Sequence, residues 1–281
     1  MSNFLNTAFD LENPEFISTI DELPLWSAPF GINLLNKIIY RKNITVLDIG
    51  SGLGFPLLEV AMRLGNTCKL YGIDPWGKAV ERARIKLKHY QISNVEIIEG
   101  VAENIPLPDN SIDLIISNNG INNVDDINQT LKECKRISRP NARFVFTFNT
   151  DKTMVEFYSA LESVLIDMNL PSAIEKMKKH IYEKRRPVEE IVNLLSQYGF
   201  IVDEIDHDEF HYTYVDGTTM FNHFLIRLAF IDSWKKIIPE QLHSEIFSEI
   251  EKRLNAVAME RGSLKLTVPF VLINAEKHEN K

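Results

Sequence analysis

The sequence predicts an α/β protein with helical lid insertions and a doubly wound, mostly parallel sheet of seven strands, of which the last is antiparallel. Two observations lead to this prediction. Between residues 44 and 149, short runs rich in β-branched and aromatic residues alternate with segments of helical apolar spacing, a pattern typical of parallel strands with helices on both faces. After residue 150, longer amphipathic segments interrupt the alternation and predict the lid.

The first half of the chain supplies most of the predicted sheet. Its predicted strands cover 44–49, 69–74, 95–100, 112–117 and 142–149. Its predicted helices cover 56–64, 78–90 and 126–138. The first helix stops at Gly65, and Pro140 marks the end of the third. Ligands of such sheets bind beyond the carboxyl ends of the strands, so the residues directly after each strand are candidate site residues.

The second half of the chain is predicted to be mostly helical. Amphipathic helices cover 154–168, 187–199 and 239–262. The segment 218–231 is apolar on nearly all sides and predicts one buried helix. The runs 200–205 and 210–215 read as strand, and 264–275 reads as the final strand. Pro269, inside that final strand, predicts a bulge or a missing ladder bond.

Composition disfavours several classes of function. The net charge of −8 argues against an extended nucleic-acid surface, because phosphate binding needs clustered lysine and arginine. No run approaches the ~20 apolar residues of a membrane helix, and the acidic N-terminus is unlike a signal peptide. Cys68 and Cys134 are too few for a disulfide framework or a cysteine-rich zinc site. We therefore expect a soluble cytoplasmic protein without a metal. Its partner would be a small molecule rather than nucleic acid or membrane, and it would be a monomer or a homodimer.

The stretch "VLDIGSGLGF" is the sharpest motif. Gly50, Gly52 and Gly54 follow a strand and open a helix, where glycine permits positive φ and a close approach of backbone to a ligand. Asp74 ends the next strand, where an acid can accept hydrogen bonds from both ribose hydroxyls. Together they predict a nucleoside-bearing cofactor. A dinucleotide fingerprint needs its third glycine at the position of Phe55, so an NAD-dependent oxidoreductase is the less favoured alternative.

Three stretches resemble class I S-adenosylmethionine-dependent methyltransferases, especially those similar to the ubiquinone/menaquinone-biosynthesis type. "VLDIGSGLG" resembles their glycine motif, "YGIDPW" their ribose-binding strand end, and "GVAENIPLPDNSIDLIISNNGINNV" their adenine-binding loop and fourth strand. The resemblance covers residues 46 to about 150 and implies a Rossmann-like fold with S-adenosyl-L-methionine as cofactor. The implied reaction is methyl transfer to oxygen, nitrogen or carbon of a small molecule. A non-catalytic cofactor-binding or regulatory protein is the alternative of a different class.

The resemblance also implies a set of cofactor-binding residues. Asp48 and the glycine backbone would hold the methionine end, Asp74 the ribose, and Ala102 the adenine through its N–H group. Many relatives have Asp where this chain has Val101, so packing and backbone bonds are expected to recognise the adenine. The full set is Asp48, Gly50, Ser51, Gly52, Gly54, Asp74, Pro75, Trp76, Val101, Ala102, Glu103, Ser117 and Asn118.

The acceptor side is predicted less sharply. Candidate substrate-binding residues are Trp26, Phe30, Asn119, Asn122, Asn222 and Arg227. Trp26 and Phe30 either close the site or pack an N-terminal helix onto the core. His223 and Arg227 are four apart and share a helix face, which either lines the acceptor pocket or carries a structural salt bridge. No catalytic residue is assigned. His211, Tyr214 and His223 are weak candidates for a general base, and His211 and Tyr214 would point to opposite faces of their strand.

The run "ISNNGINNV" is expected to serve two purposes. Ser117 and Asn118 end the fourth strand and, by the resemblance, would meet the cofactor, while Asn119 would point toward the methyl-transfer space. Asn123, which precedes Val124 and two aspartates, is expected to help cap the next helix.

The predicted organisation is one catalytic domain made of six segments. They are an N-terminal helical lid segment (1–45), a cofactor-binding Rossmann-like core (46–150), a helical insertion (151–186), a core helix and strand (187–216), a helical lid (217–262), and the last strand and tail (263–281).

Overall fold

The computed structural model describes residues 3–6, 9–21 and 25–278. The strands are β1 (Thr45–Ile49), β2 (Lys69–Asp74), β3 (Val95–Glu99), β4 (Ile112–Asn118), β5 (Ser138–Asn149), β6 (Phe200–Tyr214) and β7 (Leu264–Lys277). The helices are α1 (Pro14–Asp21), α2 (Ser27–Lys37), α3 (Leu57–Leu64), α4 (Gly77–His89), α5 (Ile127–Ile137), α6 (Val155–Asp167), α7 (Pro171–Lys184), α8 (Val188–Gln197), α9 (Gly217–Asn222), α10 (Phe224–Ala229), α11 (Ile231–Lys235) and α12 (His243–Arg261). Within these ranges, no helix has the length and apolar character needed to cross a lipid bilayer.

The strands form one seven-stranded sheet in the order β3-β2-β1-β4-β5-β7-β6. The pairs β1–β2, β2–β3, β1–β4 and β4–β5 are parallel, and β5–β7 is antiparallel. The predicted fold class is therefore confirmed. Because the strand order reverses between β1 and β4, their carboxyl ends border the crevice where open α/β sheets bind ligands.

Contacts divide the chain into two compact units. The core unit comprises Asp10–Asn149, Pro187–Asp208 and Phe270–Lys281. The helical unit comprises Met1–Phe9, Thr150–Arg186 and Glu209–Pro269.

Two apolar clusters cover the two faces of the sheet in the core unit. Leu47 and Ile49 of β1 belong to one cluster, and Val46 belongs to the other. This alternation follows from the two-residue period of a strand. Asp48 lies two residues after Val46 and therefore on the same face of the sheet. Leu57 of α3 covers this face. The sequence thus places a carboxylate on an apolar face, directly before the glycine turn.

The segment 218–231 is not one helix, so that prediction is wrong. It contains α9, α10 and the start of α11, and His223 between the first two is extended, with φ −66° and ψ 135°. A segment that is apolar on all sides has no periodicity to show where its axis changes direction. The runs 200–205 and 210–215, by contrast, belong to one continuous strand, β6, except for Val215, which follows its end.

Pro269 lies one residue beyond the stretch in which β7 pairs with β5, which ends at Phe270. Its carbonyl accepts a hydrogen bond from the Thr150 N–H at 2.9 Å. Because proline has no backbone N–H group, Pro269 contributes only its carbonyl oxygen to hydrogen bonding at this point.

Candidate functional site

A cavity of about 410 Å³ lies in the core unit at the carboxyl ends of the parallel strands. Its volume is in the usual range for small-molecule sites. It is lined by Ile49, Gly50, Ile73, Asp74, Pro75, Gly100, Val101, Ala102, Glu103, Asn118, Asn119, Gly120, Asn123, Val124 and Asp125. Seven of the predicted cofactor-binding residues line this cavity, and so does Asn119. They are Gly50, Asp74, Pro75, Val101, Ala102, Glu103 and Asn118.

Backbone rather than side chains forms the cavity wall after β1. Gly50 has φ +75°, and a Cβ atom added to it would lie 3.1 Å from the Cα of Gly120. A Cβ atom on Gly120 would lie 2.7 Å from the carbonyl oxygen of Ile49. The N–H groups of Gly50 and Ser51 both donate to the Ile73 carbonyl, at 2.9 and 3.2 Å. Glycine at both positions therefore lets the ends of β1 and β4 approach each other closely.

The carboxylate of Asp74 is held in place by the turn that it faces. Its Oδ2 accepts from the Gly52 N–H at 2.8 Å, and its Oδ1 accepts from the Trp76 N–H at 2.9 Å. Burial raises the pKa of Asp74, and these two N–H groups partly offset that rise. Each carboxylate oxygen has further lone pairs. The side chain is thus fixed at the cavity and still able to accept hydrogen bonds from a ligand.

Asp48 is fully buried behind the glycine turn. Among the residues that the structure describes, none forms a hydrogen bond of ordinary geometry with either carboxylate oxygen. Burial, and then the nearby charge of Asp74, raise the pKa of Asp48 well above its usual value, although the Leu57 N–H lies near enough to lower it slightly. An acidic side chain in this position is stabilised by a cationic or N–H donor partner.

Asp48→Asn is expected to remove a pH dependence of stability. The folded protein keeps the Asp48 proton to a higher pH than the unfolded chain does. The parent therefore loses stability as the pH rises from about 4, the unfolded pKa, until the folded pKa is passed. Each pKa unit of difference corresponds to about 1.4 kcal/mol. Asparagine has no proton to lose, so the variant gains stability relative to the parent across this window.

Urea denaturation at several pH values between about 5 and about 8 measures this difference. The control is Asp151→Asn, whose parent side chain is 57% exposed. Stability curves of the parent and Asp48→Asn that stay parallel across this range would contradict the prediction.

The end of β4 is fastened to its neighbours by polar side chains. The Ser117 hydroxyl donates to the Ile49 carbonyl at 2.8 Å, so it joins β4 to β1. The amide nitrogen of Asn118 donates to the Ser27 carbonyl at 3.0 Å. Its amide oxygen accepts from the Thr147 hydroxyl at 3.2 Å. Asn118 thus connects the cavity wall to both α2 and β5.

Asn119 is the centre of an amide network. It has φ +54°, and its side-chain oxygen accepts from the Asn149 N–H at 3.1 Å. The amide nitrogen of Asn122 donates to the side-chain oxygens of Asn149, at 2.9 Å, and Asn119, at 3.3 Å. The amide nitrogen of Asn123 donates to the Asn119 carbonyl at 3.1 Å. This network holds the left-handed backbone conformation at the cavity wall.

The prediction that Asn123 caps the following helix is wrong. Asp126 is the N-cap of α5 and accepts from the Gln129 N–H at 3.0 Å. Asn123 instead ends a short 3-10 turn, Ile121–Asn123. The sequence spacing did not indicate this turn before the helix. The N-cap therefore lies at Asp126, three residues after the predicted position.

The opposite wall of the cavity is tied to α5. The carboxylate of Glu103 accepts from the N–H groups of Asp125 and Asp126, at 2.7 and 3.0 Å. Further along the same loop, the Ile105 N–H donates to Glu133 at 2.9 Å, and Arg136 donates to the Ile105 carbonyl at 2.7 Å. These contacts between loop and helix were not predicted from the sequence.

The predicted N-terminal side chains differ in their surroundings. Phe30 is fully buried, with its ring 4.9 Å from that of Phe270 and 5.4 Å from that of Trp26. Trp26 is only partly buried. The Trp76 indole N–H donates to the Leu11 carbonyl at 3.4 Å, so the N-terminal segment also contacts the strand end after β2. Phe30 thus packs in the core, as the alternative interpretation expected.

The predicted residues between 209 and 269 belong to the helical unit. Burial raises the pKa of Tyr214 to about 12 and lowers that of His223, whose ring is 5.3 Å from the Tyr214 ring. His211 Nε2 lies 3.2 Å from Glu209 Oε1. Asn222 is exposed and donates to the Thr218 carbonyl, and the Arg227 guanidinium lies 5.7 Å from the Phe9 ring. Burial thus favours the neutral form of the His223 ring, and Tyr214 stays protonated at neutral pH.

Known proteins resemble this chain in sequence and in fold. A family model described as a methyltransferase domain matches residues 40–244. A demethylmenaquinone methyltransferase of Geobacillus sp. (strain WCH70) is 29% identical over 123 residues, which cover 44% of this chain and 53% of that protein. The ubiquinone/menaquinone biosynthesis C-methyltransferase UbiE of Rickettsia prowazekii is 30% identical over 210 residues, which cover 69% of this chain and 78% of that protein.

The match thus spans only about half the length of the first of these relatives. Among solved structures, the YcgJ protein of Bacillus subtilis superposes with a TM-score of 0.56 at 18% identity, covering 90% of this chain and 99% of that chain. That likeness concerns the fold alone.

Proposed function

Because the chain belongs to the methyltransferase-domain family, we propose that it transfers a methyl group from S-adenosyl-L-methionine to a small-molecule acceptor. The observation that carries this proposal is the meeting of the Gly50 turn and the fixed carboxylate of Asp74 at one cavity. The glycine backbone allows a ligand to approach closely, and Asp74 can still accept hydrogen bonds. This combination suits a nucleoside that carries a short polar chain.

The residues at the cavity fit this cofactor. Asp74 would accept hydrogen bonds from the ribose hydroxyls, because its two oxygens are fixed and retain lone pairs. Asp48 lies behind the Gly50 turn and not in the cavity lining, and its buried carboxyl group without a hydrogen-bond partner among the described residues would suit the ammonium group of the methionine end. Pro75 and Val101 offer apolar surface to the adenine, and the Ala102 N–H would recognise its edge. When bound, the cofactor supplies a methyl group activated by a positively charged sulfur.

The protein's own contribution would be positioning. The asparagine network around Asn119 and the ties of Glu103 to α5 hold the two sides of the cavity in fixed positions. Such fixed walls align an acceptor before the reaction and so lower its entropic cost. A general base is optional in this proposal, and His211, Tyr214 and His223 stay candidates for it.

The acceptor is proposed from the relatives. One of them is named a demethylmenaquinone methyltransferase, and the other a ubiquinone/menaquinone biosynthesis C-methyltransferase, a name that specifies carbon methylation. A small molecule with a quinone-like ring is therefore the first acceptor class to test, ahead of oxygen or nitrogen acceptors. Three further points stay predictions. The first is a cytoplasmic location, and the second is the role of 151–186 and 217–262 as a lid. The third is binding of the acceptor by Trp26, Asn122 or Arg227.

Calorimetric titration with S-adenosylmethionine tests the proposal. We expect saturable binding to a single site, competed by S-adenosylhomocysteine and unaffected by NAD. Failure of S-adenosylmethionine to bind would contradict the proposal, and binding of NAD instead would favour the oxidoreductase alternative.

A second measurement separates an enzyme from a binding protein. Release of S-adenosylhomocysteine is followed with a panel of quinone-like, amine and hydroxyl acceptors. Release that depends on one acceptor class identifies the enzyme and its chemistry. Binding of the cofactor without release across the whole panel would favour the non-catalytic, regulatory alternative.

A further inference from the structure

In the described part of the helical unit, the positive charge of Arg185 is buried without an acidic partner. Arg185 follows the end of α7, and the residue is only 5% exposed. No carboxylate in the described part of the chain forms an ion pair with its guanidinium, whose contacts are with Tyr158. The guanidinium lies 5.5 Å from the centre of the Tyr158 ring, and its Nη1 donates to the Tyr158 hydroxyl at 3.4 Å. A buried charge that is not neutralised costs free energy, so this site is incomplete by itself.

Donors also outnumber acceptors around Arg185. The hydroxyl oxygen of Tyr158 accepts from Arg185 and, at 3.3 Å, from the indole N–H of Trp234. Arginine and tryptophan side chains donate and do not accept hydrogen bonds. The Tyr158 hydroxyl hydrogen remains to be donated, and no acceptor for it exists among the described residues. The cluster thus presents three donor groups and a single acceptor oxygen.

The neighbours of this cluster are aromatic, and most of the nearby charges are positive. Phe157 stacks on Trp234, with 3.6 Å between ring centres. The ring of His180 lies 6.3 Å from that of Tyr158. Burial, and then the charge of Arg185, lower the pKa of His180 to about 4, so it is neutral at pH 7. The other charged groups that act on His180 are Lys184, Glu183 and Lys236.

We propose that Arg185 and Tyr158 form a buried binding site for the carboxylate or phosphate group of a ligand. The guanidinium would bind two anion oxygens side by side, as its fork of donors favours. The Tyr158 hydroxyl donates its remaining hydrogen to the same anion. The rings of Phe157 and Trp234, which stack on each other, make the surroundings of the anion apolar. This site does not depend on methyl transfer and stands whether or not the cofactor proposal holds.

Binding of benzoate and of inorganic phosphate tests the site. Calorimetry on the full chain is expected to show binding of at least one of the two. Arg185→Met is expected to raise the dissociation constant about 10- to 100-fold, as loss of a hydrogen bond to a charged group does. Arg185→Lys keeps the charge but loses the planar fork of donors. Its dissociation constant is therefore expected to lie between those of the parent and Arg185→Met. The control is Arg261→Met, an exposed arginine of the same unit, which should bind like the parent.

Thermal melts separate ligand binding from a structural role. Without ligand, Arg185→Met is expected to melt at or above the temperature of the parent, because methionine fills apolar space without a buried charge. A lower melting temperature together with unchanged probe affinity would assign Arg185 to folding and overturn the proposal. Absence of binding by both probes to the parent would overturn it as well. Binding of phosphate alone identifies a phosphate ligand, and binding of benzoate alone identifies a carboxylate.

The imidazole signal of His180 offers an independent readout by NMR. A bound anion offsets the charge of Arg185, so saturating probe is expected to raise the pKa of His180. A titration curve of His180 that does not change when the probe saturates the protein would place the probe elsewhere and contradict the proposal.

Discussion

Asp74→Ala is expected to raise the dissociation constant for S-adenosylmethionine by at least about 100-fold, since each hydrogen bond to a charged group contributes about 1.5–3 kcal/mol and two are lost. The carboxylate lines the cavity, and the Gly52 and Trp76 N–H groups fix its orientation. Calorimetry measures the change. The control is Glu81→Ala, which removes a carboxylate that is 58% exposed on α4 and should bind like the parent.

A second variant separates the ligand contact from the support of the turn. Asp74 also accepts two backbone hydrogen bonds, so alanine leaves those two N–H groups without their partner. Asp74→Asn keeps one acceptor oxygen and nearly the same shape, so it is expected to fold like the parent and still bind weakly. Parent-like affinity in a folded Asp74→Ala protein would remove Asp74 from the cofactor site.

Gly50→Ala is expected to weaken cofactor binding at least about tenfold and to lower the free energy of unfolding by about 1–3 kcal/mol, the usual cost of a strained backbone residue. The added Cβ atom lies 3.1 Å from the Cα of Gly120, so backbone rather than a flexible side chain must shift. Because both glycines line the cavity, this shift changes the shape of the binding wall. Titration of the variant with S-adenosylmethionine and denaturation in urea measure the two effects.

Gly262 provides the matched control for Gly50. It has a similar φ of +81°, and a Cβ atom added there meets nothing within 4 Å. Gly262→Ala therefore introduces the backbone strain without the contact and is expected to lose stability with unchanged affinity. Equal affinities of the two variants would show that the Gly50 turn does not contribute to the binding wall.

The parts of the fold that follow local patterns were predictable from the sequence. The alternation between residues 44 and 149 reflects burial of parallel strands under helices, and the structure confirms it. Gly50 and Asp74 were also found because each follows a strand, and parallel strands bring their carboxyl ends to one edge. Local periodicity therefore accounts for the sheet and for the position of the cavity.

The parts that depend on contacts between distant residues were not predictable. His223 is extended in a segment without periodicity, so no pattern marked the break between α9 and α10. Asn123 donates to the Asn119 carbonyl instead of capping α5, because a 3-10 turn separates it from that helix. Glu103 reaches N–H groups more than 20 residues away, a pairing that appears only after the chain has folded.

The attachment of Glu103 and Ile105 to α5 has a consequence for the entropy of binding. A free loop loses conformational freedom when a ligand orders it, and this loss weakens the affinity. Here the residues just before α5 already hold the loop through Glu103, and Glu133 and Arg136 of α5 hold it through Ile105. The loop is thus preorganised, and most of the contact energy of a bound ring remains available as affinity. Substitutions at Arg136, which does not line the cavity, will therefore weaken binding through lost order rather than through lost contacts.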